Sequence, residues 1–215
     1  MNALLIIGSP KGKAGTSYMI GGSLLRRLAA AGWETGETTV AAALSSPEKQ
    51  EAFGRAVAAA DLVLYSFPPY VDQLPAPVIL SLPLLAEQAS GRRLGVIVQC
   101  GFPETHQNAP AVDIMRKFAI ESGFHWAGAL AAGMGGAVGN RSLDKPSGPV
   151  RNMGKALDLA AASLASGGDI PEEASALFGK PMMPKFLYTL AANFGMKMLA
   201  RKHKVKKRVY DRPYA

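Results

Sequence analysis

Gly8-Ser9-Pro10-Lys11-Gly12-Lys13-Ala14-Gly15-Thr16-Ser17 gathers three hydroxyls, two ammonium groups and three glycines into ten residues. It follows the apolar run Ala3–Ile7 and precedes Ile20, Leu24, Leu25 and Leu28, which recur at helical spacing. The segment therefore ends at a helix amino terminus. Backbone N–H groups without intrahelical partners and the helix dipole make such an end a natural anion site. Ser9, Thr16 and Ser17 can donate to phosphate oxygens, and Lys11 or Lys13 supplies charge. A charge-assisted bond contributes about 1.5–3 kcal/mol, so several together anchor a phosphomonoester. Two other phosphate motifs fail on spacing: no register supplies the P-loop Gly-x4-Gly-Lys-Ser/Thr, and Gly-x-Gly-x-x-Gly is absent from this turn. The competing reading is an ordinary strand–helix turn with Thr16 as cap.

Two later loops have a different chemistry. Pro68-Pro69-Tyr70-Val71 is stiff and apolar, and can wall a flat uncharged heterocycle while its backbone meets the polar edge. It can equally be a proline-stiffened loop in which Tyr70 only packs. In Cys100-Gly101-Phe102-Pro103-Glu104, Gly101 allows close backbone approach to a ligand and Phe102 offers a second wall. Glu104 can contact ligand hydroxyls or water, or stand as a solvated loop residue. Cys100 reads as a buried small hydrophobe and not as a redox thiol. His106, His125 and His203 share no metal-ligand spacing with it, and no Ser–His–acid order stands out. Gly133-Met134-Gly135-Gly136-Ala137-Val138-Gly139 is either a substrate lid or, by preference, a tight packing turn.

The elements that must position these loops alternate along the chain. Strand signals fall at Ala3–Ile7, Glu34–Val40, Leu62–Tyr65, Leu94–Cys100 and Phe124–Ala132. Helical patterns separate them: Pro47–Ala60, Pro77–Gln88 with a kink or break allowed at Pro83, and a stripe through Val112, Met115 and Phe118. Val150, Met153, Leu157, Ala160 and Leu164 give the clearest stripe. Strands joined by helices imply parallel crossovers and a sheet covered on both faces. The expected fold is thus an α/β doubly wound five-stranded parallel sheet of order 2-1-3-4-5, flavodoxin-like. In that order the loops after strands one, three and four converge, and these are the loops with the unusual residues.

Taken in order, the three loops resemble those of the flavodoxin-like NAD(P)H-dependent FMN reductases and quinone reductases. Gly8-Ser9-Pro10-Lys11 through Thr16-Ser17 is similar to that family's Gly-Ser-Pro-Arg…Asn-Thr/Ser loop. Phe67–Pro77 resembles its segment beside the isoalloxazine, and Cys100–Glu104 its loop after strand four. The resemblance runs from about residue 3 to residue 165. It implies FMN held by Ser9, Lys11, Thr16 and Ser17 at the phosphate, and by Pro68, Pro69, Tyr70, Val71, Gly101, Phe102 and Glu104 around the ring and ribityl chain. It further implies NAD(P)H as electron donor, a quinone or other small-molecule electron acceptor, and a homodimer. Lys11 stands where Arg is usual, Gly15 where Asn is usual, and Val78–Leu82 is apolar where the family has Lys and Asp-Arg. A flavodoxin-type electron carrier that docks a redox protein is the alternative, although such carriers are acidic. A flavin-free membrane-surface or scaffold protein on the same fold is another.

Charge separates this domain from the carboxyl-terminal segment. Net charge is +8, yet from Lys180 onward ten Lys/Arg face one acid, Asp211. The other residues carry 14 Lys/Arg and 15 Asp/Glu, a net of −1. The basicity belongs to a tail, which argues against a general nucleic-acid surface. The sequence divides into a flavodoxin-like FMN-binding domain at 1–168 and a helical basic carboxyl-terminal extension at 169–215. Within the extension Pro184 opens a helix, with Leu187, Leu190, Phe194 and Met198 on one stripe. That helix can lie on an acidic membrane surface, or dock on the domain or on a second subunit. A single cysteine excludes an intramolecular disulfide, Met1–Gly8 reads as a strand and not a signal peptide, and no apolar run approaches membrane-spanning length. A cytoplasmic protein, at most peripheral to a membrane, is expected.

Overall fold

A computed structural model describes residues 1–139 and 141–212; residues 140 and 213–215, the latter part of the expected extension, lie outside the described residues. The elements run β1 (Asn2–Ile7), α1 (Thr16–Ala30), β2 (Glu34–Thr39), α2 (Val40–Ala43), α3 (Pro47–Ala58), β3 (Leu62–Phe67), α4 (Ala76–Ala86), β4 (Arg93–Gln99), α5 (Ala109–Ser122) and β5 (His125–Ala132). They continue with α6 (Gly135–Val138), α7 (Arg151–Ala165), α8 (Glu172–Phe178) and α9 (Lys185–Lys202). The strands form one sheet in the order β2-β1-β3-β4-β5 with every pairing parallel, as the alternation of strand and helix patterns implies.

The register explains the composition of the strands. β3 is buried along its whole length, and β1 and β4 at all but their first residue, because helices cover both faces. Side chains alternate between two cores. Leu5 and Ile7 join Leu24 and Leu28 of α1 and Leu157 and Leu164 of α7. Leu4 and Ile6 join Phe53 and Val57 of α3, Val78 and Leu85 of α4, and Met115 of α5. Each fully buried side chain of this size contributes about 1.5–3 kcal/mol relative to exposure. β2, Glu-Thr-Gly-Glu-Thr-Thr, is polar because it is an edge with one neighbouring strand. α4 continues through Pro83 without a break. Pro83 removes one bond from the ladder, the N–H that would otherwise meet Ile79 O.

The compact unit extends past the division drawn from the sequence at 168. It spans Met1–Met182, and Met183 onward forms a second unit. A bulge in β5 is the reason. The pairing shifts between Leu94 and Gly95, which leaves Ala127 unpaired with the sheet, and its carbonyl accepts from Ile170 N–H at 2.8 Å. α8 then docks, with Ala174 and Phe178 in the core and the Ser175 hydroxyl donating to Ala129 O at 2.8 Å. Gly128 makes the bulge possible: its φ is +103°, and a Cβ would lie 2.9 Å from Ile170 Cβ. Gly128→Ala is expected to destabilise the protein by about 2–4 kcal/mol, read from chemical denaturation.

Candidate functional site

The carboxyl ends of parallel strands share one edge of the sheet, so the loops after β1, β3, β4 and β5 are neighbours by topology. At the end of β1, Gly8 N–H donates to Ser66 O at 2.8 Å. A Cβ on Gly8 would stand 2.5 Å from Val78 Cγ2 and 2.9 Å from Phe67 Cβ, so glycine is what lets the chain leave the sheet between β3 and α4. The loop closes as a 3-10 turn over Gly12–Ala14, with Gly12 N–H donating to Ser9 O and Gly15 N–H to Gly12 O. Gly15 sits tightly beneath it, 3.1 Å from Ser9 Oγ and 3.2 Å from Lys11 Cβ measured from an ideal Cβ. That closeness is a physical reason for glycine at 15. α1 begins at Thr16, so the N–H groups of Thr16 and Ser17 open out of its amino end.

The two lysines part company. Lys13 pairs with Glu37 on β2 and lies over the Tyr18 ring; the hydrogen bond to Glu37 and its charge raise the Lys13 pKa. Lys11 is the loop cation that remains for the sheet edge. The hydroxyls part as well. Ser9 and Thr16 line a cavity, whereas the Ser17 side chain is fully buried and its Oγ accepts from Gln99 Nε2 at 2.8 Å. The Ser17 hydroxyl is thus held against Gln99, and only its backbone N–H is left at the amino end of α1.

After β3 the chain turns at Pro68 and Pro69. Tyr70 and Gln73 exchange backbone hydrogen bonds at 2.9 and 3.1 Å around Val71 and Asp72, whose φ values are +51° and +57°. This is the shape of a two-residue mirror-image hairpin turn, which favours Asn-Gly. A β-branched residue there stores strain, and such turns cluster at ligand sites. The Val71 side chain is 95% exposed, so it shapes the loop through its backbone.

The loops after β4 and β5 interlock. Met134 N–H donates to Phe102 O at 2.7 Å and Gly135 N–H to Cys100 O at 2.8 Å. Asn108 Nδ2 donates to Thr105 O and Ala132 O, which ties the start of α5 to the end of β5. The glycine run after β5 is thus a packing turn, with α6 as its short helical part.

Together these loops enclose a cavity of about 230 Å³ lined by Ser9, Lys11, Thr16, Pro68, Tyr70 and Gly101, completed by Gln99, Cys100, Gly135 and Gly136. Six of the eleven residues singled out from the sequence meet there. Pro69 is half-buried beside them, Glu104 half-buried in the loop after β4, and Val71 and Phe102 are exposed side chains outside the lining. Burial pushes the Cys100 thiol up, so it stays protonated at neutral pH and acts as a small buried group. Among the described residues no group of three His, Cys, Asp or Glu could hold a metal ion, and no helix is long and apolar enough to cross a membrane.

Gln99 is the residue that motif reading missed. It is buried at the cavity, and its Oε1 has no hydrogen-bond partner among the described residues. Exchanging the two ends of the amide lets Ser17 donate to Oε1 and turns Nε2 outward instead. In either orientation one polar end is left for a ligand or water. Its signal in the sequence is a lone amide closing the apolar run Leu94–Val98. Gly135 and Gly136 were visible only as a flexible-looking cluster.

No protein-family model and no curated protein matches the sequence. Solved structures do. A candidate quinone reductase from Klebsiella pneumoniae superposes with a TM-score of 0.56 at 18% identity, over 80% of this chain and 87% of the other. An FMN-dependent NADH-azoreductase from Bacillus anthracis, in complex with FMN, gives 0.52 at 14% identity, over 77% of this chain and 100% of the other. The Trp repressor binding protein from Bacillus subtilis gives 0.51 at 13% identity, over 66% and 87%. The fold is flavodoxin-like. In a flavodoxin-like sheet the crevice lies where the strand order reverses, between β1 and β3, and the cavity stands at that point.

Proposed function

We propose that the protein is an FMN-dependent oxidoreductase that draws electrons from NAD(P)H and passes them to a quinone or another small acceptor. The observation that supports this reading is the coalescence, in one cavity, of an anion-binding loop with a proline-stiffened apolar wall. The residues fit the cofactor in parts. The cavity is smaller than the roughly 300–1,000 Å³ of sites that enclose a whole ligand. It suits a phosphate and a polar chain, while a flat ring would rest against the half-exposed Tyr70.

Bound FMN would supply the hydride and electron-transfer chemistry. The chain's own part is binding and exclusion. The Thr16 and Ser17 N–H groups, the Ser9 and Thr16 hydroxyls and the Lys11 ammonium would hold phosphate. Pro68, Tyr70 and Gly101 would border the ring, and the orphaned end of Gln99 would take one ligand hydrogen bond. A homodimer belongs to the same reading: Ile79 and Leu80 stand exposed on α4, beyond the Pro-rich loop, as an apolar face that a second copy would cover.

The test is FMN titration by absorbance and calorimetry, then NADH and NADPH oxidation with a quinone acceptor. Stoichiometric FMN with steady turnover supports the enzyme. FMN retained without turnover indicates an electron carrier, and a colourless protein with no heat of binding overturns the flavoprotein reading. Gln99→Leu is expected to weaken FMN about tenfold and to cost about 1–3 kcal/mol of stability through the lost bond to the buried Ser17 hydroxyl, offset in part by removal of the unsatisfied buried oxygen. If Gln99 were purely structural, stability alone would fall and affinity would not move.

A further inference from the structure

The second unit presents a surface that the cavity chemistry does not use. In α9, Met196, Leu199 and Ala200 recur on one side, and the chain returns along that side after a turn at His203-Lys204, with Val205 N–H donating to Ala200 O at 2.9 Å. Lys204 has φ +58°, which reverses the direction. This fold-back buries Ala200. The other side of the helix carries Phe186, Leu187, Leu190, Phe194 and Met198, each 45–75% exposed. Their spacing sets them on one stripe about 100° or more wide.

Cations first interrupt that stripe, at Lys197 between Phe194 and Met198, and then continue it. Lys197 and Arg201 follow Phe194 at i+3 and i+7, Lys202 ends the helix, and Lys204, Lys206, Lys207 and Arg208 come directly after. The only acid from Lys180 onward is Asp211, already paired with Arg208 at 3.0 Å. The surface is therefore a ridge of large apolar side chains flanked by a large excess of positive charge.

We infer that this stripe of α9 is a docking surface for an anionic phospholipid bilayer, with Phe186, Leu190, Phe194 and Met198 entering the interface and the lysines and arginines meeting headgroup phosphates. Charge complementarity decides the occupant. A second copy would set two strongly cationic segments against each other. Nucleic acid would satisfy the cations and leave the Phe, Leu and Met ridge in water. A bilayer interface satisfies both, since long basic side chains lie along apolar surface and reach up to the headgroups. The 18-residue helix does not qualify as a membrane span, so it lies on the surface. The inference is independent of flavin binding.

The experiment is flotation of the full chain with vesicles of phosphatidylcholine alone and of phosphatidylcholine mixed with phosphatidylglycerol. Flotation with the anionic vesicles only, weakened by added salt, is expected. Leu190→Glu/Phe194→Glu should abolish it. Lys206→Glu/Lys207→Glu/Arg208→Glu should lower the bound fraction on the order of a hundredfold at low salt. FMN titration and circular dichroism of the same variants check that the first unit is intact. A chain that stays unbound with anionic vesicles overturns the inference. So does flotation that neither variant affects, tighter retention on homopolymeric RNA than on anionic vesicles, or self-association that Leu190→Glu/Phe194→Glu dissolves.

Discussion

Lys11→Glu is expected to weaken FMN binding about a hundredfold while leaving riboflavin within about twofold, because the two ligands differ at the phosphate alone. The size follows from the loop. Lys13 is committed to Glu37, so Lys11 is the ammonium among the cavity-lining residues. A lost charge-assisted bond costs about 1.5–3 kcal/mol, and solvent at this exposed side chain takes part of that back; reversal of the charge restores it. Stability should change by less than ~0.5 kcal/mol, since Lys11 is exposed and its Cβ is its tight contact to the loop. Calorimetry with both ligands and thermal denaturation of the apoprotein provide the measurements. Equal losses for FMN and riboflavin would place the phosphate elsewhere.

Most of the fold was legible because buried parallel strands leave a strong signal. Leu62–Tyr65 and Leu94–Cys100 are apolar almost without interruption, and both lie within a residue or two of β3 and β4. All five residues of the Val150–Leu164 stripe are buried. The elements that were not legible depend on tertiary contact. α8 has only Ala174, Ala176, Leu177 and Phe178 in seven residues to mark it, too short a run for a period, and it exists because the bulge at Ala127 offers a carbonyl to Ile170. The site divides in the same way. Small residues before a helix amino terminus marked the loop after β1 locally as a candidate anion site. Whether Ser17 faces ligand or core depends on Gln99, 82 residues away, and no local pattern specifies that. Val71 shows a further limit: a β-branched residue gives no sign that it adopts a left-handed turn.

Two glycines at the sheet edge separate architecture from binding. A Cβ on Gly133 would lie 2.6 Å from Pro103 O and 2.7 Å from Phe102 O, both backbone atoms that cannot rotate away. Gly133→Ala must therefore part the loops after β4 and β5, straining the bonds from Met134 N–H to Phe102 O and from Gly135 N–H to Cys100 O. Overpacking costs about 1–3 kcal/mol, and each weakened backbone bond adds about 0.5–1.5 kcal/mol. A fall of about 5–15 °C in melting temperature is the expected result for a chain of this size. FMN affinity should fall with it, because Cys100, Gly101, Gly135 and Gly136 all line the cavity. Gly101 makes the opposite case. A Cβ there meets nothing within 4 Å, so Gly101→Ala should melt like the parent. If the open space beside Gly101 is where the cofactor's ring approaches the backbone, the added methyl weakens FMN about tenfold with no change in melting temperature. Unchanged melting in Gly133→Ala would mean the two loops are not interlocked. Unchanged affinity in Gly101→Ala would move the ring away from the loop after β4 and leave the Pro68–Tyr70 wall to hold it.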